Sequence, residues 1–155
     1  MPTARASLAA AALFDGTVVA LGGRTNDSRA SAAVEAYHPD VDQWEKQQPL
    51  AVAREGLCAG ILEGVLYAAG GFNGTTYLAV LEAWNGTAWR TLAPMTYARS
   101  GAACAIVNDV FIVYGGRNER GVLRNVEAYV PKTILDCSWR RSRRPVWRRW
   151  CWWRV

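Results

Sequence analysis

The sequence predicts an all-β repeat fold: three successive four-stranded sheets, then a basic tail without repeat character. Two observations carry this reading. A set of landmarks recurs three times at intervals of 47 and 45 residues, counted from Val34 to Leu81 to Val126. The composition then changes abruptly near the C-terminus. The net charge over 155 residues is +5, yet Ser138 to Val155 holds seven arginines and no acid, which leaves 11 basic against 13 acidic residues elsewhere, a net of −2. The same stretch carries five of the eight tryptophans. The chain is a mildly acidic globular segment joined to an Arg/Trp tail, so a nucleic-acid-binding reading would rest on the tail alone. With 51% apolar and 20% charged residues it falls outside the disordered class, and no apolar run reaches membrane-spanning length.

Each repeat begins with an arginine. Arg5 stands 17 residues, and Arg54 and Arg99 each 16 residues, before a Gly-Gly pair: Gly22-Gly23, Gly70-Gly71 and Gly115-Gly116. A run of small residues follows, clearest at 56–62 and 101–107, and reads as a first strand suited to a crowded place near an axis. Turn residues at Asp15-Gly16, Glu63-Gly64 and Asn108-Asp109 lead into an apolar strand, such as Val65 to Ala69 or Val110 to Tyr114. The Gly-Gly pair ends that strand, where the chain can turn without a Cβ penalty. Val34 to Tyr37, Leu81 to Trp84 and Val126 to Tyr129 alternate as a third strand with one buried face. Trp44 and Trp89 mark a fourth, with aromatic bulk to pack on a neighbouring unit. One four-stranded sheet per 45 to 48 residues is a propeller blade.

The order Arg, small-residue strand, apolar strand, Gly-Gly, Val-Glu-x-Tyr, Trp and then Pro-Met-x-x-x-Arg resembles the kelch repeat. Pro94 to Arg99 carries the inter-repeat linker in full, and Pro49 to Arg54 carries it with Leu for Met. The expected fold is a partial kelch propeller of three blades: repeat 1 over 1–50, repeat 2 over 51–95, repeat 3 over 96–137, and a disordered tail over 138–155. Gly22, Gly23, Gly70, Gly71, Gly115, Gly116, Tyr37, Trp44, Trp84, Trp89 and Tyr129 are its structural positions. Two departures stand out. Met1 falls on the linker methionine, and three blades are few for a propeller, so the chain reads as part of a longer one. The third repeat breaks after Pro131, where its next tryptophan, Trp139, comes ten residues after Tyr129 rather than five or seven; the sequence beyond reads like an unintended reading frame.

The resemblance implies protein–protein recognition and no catalysis. In kelch-like adaptors, partners dock on the face made by the loops after Gly-Gly and by the blade starts. Those positions here are Arg24, Thr25 and Asn26; Phe72, Asn73 and Tyr77; Arg117, Asn118 and Arg120; and the blade-start Arg54 and Arg99. Arginine's planar fork suits an acidic peptide. The specific expectation is substrate recognition for a cullin ubiquitin ligase, through a BTB domain outside these residues, with actin as another partner of the wider family and the cytoplasm as location. The alternatives are a fragment of a sugar-acting propeller enzyme, akin to galactose-oxidase-like oxidases or sialate mutarotases, and an inactive truncated product. A copper oxidase needs a cluster of His, Tyr and Cys ligands, and His38 is the one histidine, read as a turn residue before Pro39.

No metal site or cofactor is expected. Cys58, Cys104, Cys137 and Cys151 lack zinc spacing, and Cys58 and Cys104 read as small apolar filler. Ser7 to Phe14 reads as a strand rather than a signal core, and the Asn-x-Ser/Thr triplets at Asn26, Asn73 and Asn85 read as turns. The tail's Arg and Trp could meet anionic lipid or RNA, but it reads as an unstructured extension, with no specific nucleic-acid partner and no membrane span.

Overall fold

The computed structural model describes residues 1–131 and the backbone of Trp152–Arg154. It is all-β, and its strands form three four-stranded antiparallel sheets that stack as consecutive blades. Blade 1 contains β1 (Ala9–Ala12), β2 (Val18–Leu21), β3 (Val34–His38) and β4 (Gln43–Gln47) in sequence order. Blade 2 repeats the arrangement with β5 (Cys58–Leu62), β6 (Val65–Ala69), β7 (Leu81–Trp84) and β8 (Trp89–Thr91). Blade 3 has β9 (Ala103–Val107), β10 (Val110–Tyr114) and β13 (Val126–Tyr129). A short hairpin, β11 (Arg117–Asn118) and β12 (Gly121–Val122), is set between β10 and β13. The fourth strand of blade 3 is β14 (Trp152–Arg154), with Tyr129 opposite Trp152 and Glu127 opposite Arg154. Those three residues belong to the stretch expected to be disordered; the rest of that stretch lies outside the described residues.

The turns follow their residues. Glu63 and Gly64 hold φ of 52° and 75°, and Asn108 and Asp109 hold 48° and 59°, the pair of left-handed conformations that a two-residue hairpin needs to match strand twist. Ser7 to Phe14 contributes β1, as the repeat register required. Asn73 and Asn85 sit in turns in which the side-chain oxygen accepts backbone N–H bonds, from Thr75 and Thr76 in one case and Thr87 and Ala88 in the other.

Two apolar cores lie between the three blades. Val19, Leu21, Val34 and Ala36 of blade 1 meet Leu57, Leu66, Ala68 and Trp84 of blade 2. Cys58, Leu62, Tyr67 and Ala69 on the other side of blade 2 meet Phe111 and Val113 of blade 3. Strand alternation explains the division: on β6, Leu66 and Ala68 point one way, and Tyr67 and Ala69 the other. The first strands can be small because they pack strand against strand. A Cβ on Gly60 would already lie 3.1 Å from Phe111 and 3.4 Å from Ile106.

Trp89 stacks on Trp84 at a ring-centroid distance of 5.9 Å and donates Nε1–H to the Gln48 carbonyl at 2.9 Å, tying blade 2 to blade 1. Trp44 contacts Tyr37 of its own blade, 5.1 Å between centroids, so its bulk serves within the sheet rather than toward a neighbour. His38 is the last residue of β3 rather than a turn residue, with Nε2 3.3 Å from Glu45.

Candidate functional site

A buried ion pair anchors the start of every blade. Arg5 meets Glu35 at 2.8 Å, Arg54 meets Glu82 at 2.5 Å and Arg99 meets Glu127 at 2.6 Å. All three guanidinium side chains are 0% exposed. Arg99 also donates Nη1–H bonds to the carbonyls of Gly115 and Asn125, both at 2.9 Å, and Arg5 does the same to Gly22 and Ala33 at 2.7 Å. Arg54 departs from this pattern: its Nε and Nη1 are buried without a partner among the described residues. Burial works to lower the Arg54 pKa, against the opposing pull of Glu82. Burial likewise works to raise the Glu35 carboxyl, but the Thr3 hydroxyl and Arg5 outweigh it and hold that carboxyl below its ordinary range.

The expectation that Arg54 and Arg99 meet a partner is corrected by this geometry. Both are sealed inside the blade, 0% exposed, with their charge paired to the blade's own glutamate rather than turned to the surface. What they do is position backbone. The carbonyl of Arg54 accepts the Gly23 N–H of blade 1 at 2.9 Å, and that of Arg99 accepts the Gly71 N–H of blade 2 at 2.8 Å. The first glycine of these two pairs lets this approach happen: a Cβ on Gly22 or Gly70 would lie 2.6 Å from the same carbonyl oxygen. The recurring arginine and the recurring Gly-Gly are thus two halves of one inter-blade joint.

The joint aims the loops after Gly-Gly at one face. Arg24 bridges to Ala6, Phe72 to Glu55 and Arg117 to Ser100, each pairing the post-glycine residue with its own blade start. The blade starts are linked in turn, with Gly56 N–H on the Ser7 carbonyl at 2.8 Å and Gly101 N–H on the Gly56 carbonyl at 2.7 Å. Arg24 then reaches across to Glu55, 3.3 Å away, beside Phe72.

On this face Arg24, Asn26, Asn73, Arg117 and Arg120 are exposed. Phe72 and Tyr77 are half-buried and pack together at 5.0 Å between centroids. Asn118 is corrected to a structural role: it is 7% exposed, donates Nδ2–H to the Ala98 carbonyl at 3.1 Å and accepts the Arg120 N–H at 3.0 Å. The sequence reading missed three members of the face. Glu55 tethers Arg24, Arg124 stands exposed past the hairpin, and Val122 is 90% exposed on β12. Their signal was positional, since each lies in a blade start or a post-glycine loop. Across these segments Arg24, Arg29, Arg117, Arg120 and Arg124 face only Asp27, Glu55 and Glu119, so the face is net cationic although residues 1–137 are net acidic.

A kelch-motif family model matches residues 5–51, 53–96 and 98–141. The chain belongs to the kelch-repeat family. Human Kelch-like protein 33 is 43% identical over 76 residues, 48% of this chain and 14% of that protein. Human Kelch-like protein 4 is 40% identical over 37% of this chain and 8% of its own length, and Beta-scruin of Limulus polyphemus is 33% identical over 41% and 7%. The solved structure of YjhT superposes with a TM-score of 0.76 at 17% identity, over 85% of this chain and 45% of that one, a likeness of fold. This kelch chain therefore spans a small part of the curated relatives' length and under half of that solved chain. Among the described residues no helix is long and apolar enough to cross a membrane, and no group of three or more His, Cys, Asp or Glu is placed to hold a metal ion.

Proposed function

We propose that this chain is a protein-recognition module whose post-glycine loops bind an acidic segment of a partner. The carrying observation is that blades 1 and 3 present exposed Arg24, Arg117 and Arg120 from loops fixed by backbone pairing to the blade starts, on either side of the Phe72–Tyr77 loop of blade 2. Loops held this way have little backbone freedom left to lose on binding, and each arginine can bond a carboxylate twice. Exposed Val122 and the Phe72–Tyr77 pair supply apolar surface between the charges. The similarity to Kelch-like proteins supports a finer reading, substrate recognition within a ubiquitin-ligase adaptor, with any cullin-binding domain outside these residues.

The test is titration of fluorescent peptides with the 155-residue chain. Acidic peptides should bind more tightly than neutral or basic ones, with affinity falling as salt rises. Arg117→Glu and Arg120→Glu should each weaken binding by at least about tenfold, equivalent to about 1.4 kcal/mol, without moving the thermal unfolding midpoint. Equal binding of neutral peptides, or indifference to both variants, would remove the proposal.

A further inference from the structure

The seam between blades 2 and 3 brings two thiols together. On β5 the side chains of Cys58 and Leu62 point to blade 3, as would a Cβ on Gly60 between them, which would meet Ile106 and Phe111. On β9, Cys104 and Ile106 point back to blade 2 and pack on the same cluster. Two residues before the Gly60–Ile106 approach on each strand stand Cys58 and Cys104. Cys104 Sγ is 3.2 Å from the carbonyl oxygen of Ala59, the residue next to Cys58, and both side chains belong to the one apolar cluster of this seam. Both sulfurs are free thiols. Small residues on the two first strands let them pack against each other at this seam, as the Gly60–Phe111 and Gly60–Ile106 approaches show, and a covalent bridge needs neighbouring Cβ atoms. Cys104 is only half-buried, so a small oxidant can reach it, whereas Cys58 is 7% exposed.

We propose that Cys58 and Cys104 are an oxidation site, closing to a disulfide that covalently joins blade 2 to blade 3. The co-reactant is a small disulfide such as oxidised glutathione. Cys104 thiolate attacks one of its sulfurs, breaking that S–S bond and releasing one glutathione thiol. Cys58 thiolate then attacks the Cys104 sulfur and expels the second. Two thiols lose two protons and two electrons; one glutathione disulfide becomes two thiols. The order of attack follows from access, and it agrees with the interaction between the two thiols, which raises the pKa of Cys58 and lowers that of Cys104.

The experiment treats the folded 155-residue chain, and a Cys137→Ser/Cys151→Ser variant, with oxidised glutathione and digests each without reduction. The expected result is a mass lower by two hydrogens, one linked peptide pair containing Cys58 and Cys104, and a reversible rise in the unfolding midpoint, since the bridge closes a long loop. In Cys58→Ala the glutathione adduct should instead persist on Cys104. Linkage only through Cys137 or Cys151, a glutathione adduct that persists on Cys104 while Cys58 is present, or oxidation only after unfolding in urea would overturn the assignment.

Discussion

Removing Glu127 while leaving Arg99 tests whether the blade-start pairs hold the fold. In the Glu127→Ala variant, Arg99 loses its carboxylate partner at 2.6 Å, and the linker amides of Thr96 and Tyr97 lose acceptors at 2.6 and 3.1 Å. Both side chains are 0% exposed, so water cannot replace these partners without opening the blade. Stranding one member of a buried pair typically costs about 3 to 5 kcal/mol. That is a large share of the roughly 5 to 15 kcal/mol that holds an ordinary domain. Glu127→Ala should therefore be largely unfolded, or melt far below the unsubstituted chain, in urea titration followed by circular dichroism. The double variant Arg99→Met/Glu127→Leu should recover much of the loss, because no charge is then left buried. A loss under about 1 kcal/mol for Glu127→Ala, the scale of an exposed pair, would refute the reasoning, as would a double variant no more stable than the single one.

Gly70→Ala should destabilise by well over the roughly 1 to 2 kcal/mol of a left-handed non-glycine residue, because its φ is +65° and the new Cβ meets the Arg99 carbonyl at 2.6 Å. Gly64→Ala has a φ of +75° with nothing within 4 Å, so it should show the backbone term alone. Equal losses in urea titration would contradict the inter-blade joint. Glu35 is held below the ordinary carboxyl range, so the folded state favours its ionised form. Its contribution should be complete above the unfolded carboxyl pKa and fade as pH falls through the folded one; Glu35→Gln should flatten the acid side of the stability–pH curve. Trp89→Phe removes the N–H bond to Gln48 and shrinks the stack on Trp84, and should cost about 1 to 2 kcal/mol in the same assay.

The repeat was legible because its landmarks answer to local chemistry. Glu63-Gly64 and Asn108-Asp109 mark hairpins through their own backbone preferences, and the register from Arg54 to Gly70-Gly71 follows from one strand pair and one turn. The roles of the recurring arginines were not legible in the same way. An arginine at a loop boundary reads as a surface residue, and only the position of Glu82 or Glu127, 28 residues later on the third strand, makes it a buried one. That pairing is a long-range fact: the glutamate in Val-Glu-Ala-Tyr occupies the polar place of an alternating strand, and nothing local says that this place is closed to water. Asn118 misled for the same reason, since its two hydrogen bonds lie with Ala98 and the backbone of its own hairpin.

These corrections sharpen the functional reading. Once Arg54, Arg99 and Asn118 are assigned to holding the blades in place, the exposed cations of the face all come from the post-glycine loops. Those loops differ from blade to blade: a turn closed by Thr25 and Arg29 in blade 1, the Phe72–Tyr77 pair in blade 2, and the β11–β12 hairpin in blade 3. The invariant part of each repeat therefore builds one rigid frame three times, and the variable part writes a different chemical character on each blade. On the proposed recognition role, a partner that reads the face would have to match an order of charges and aromatics around it, which would place specificity in the loops and leave stability to the motif.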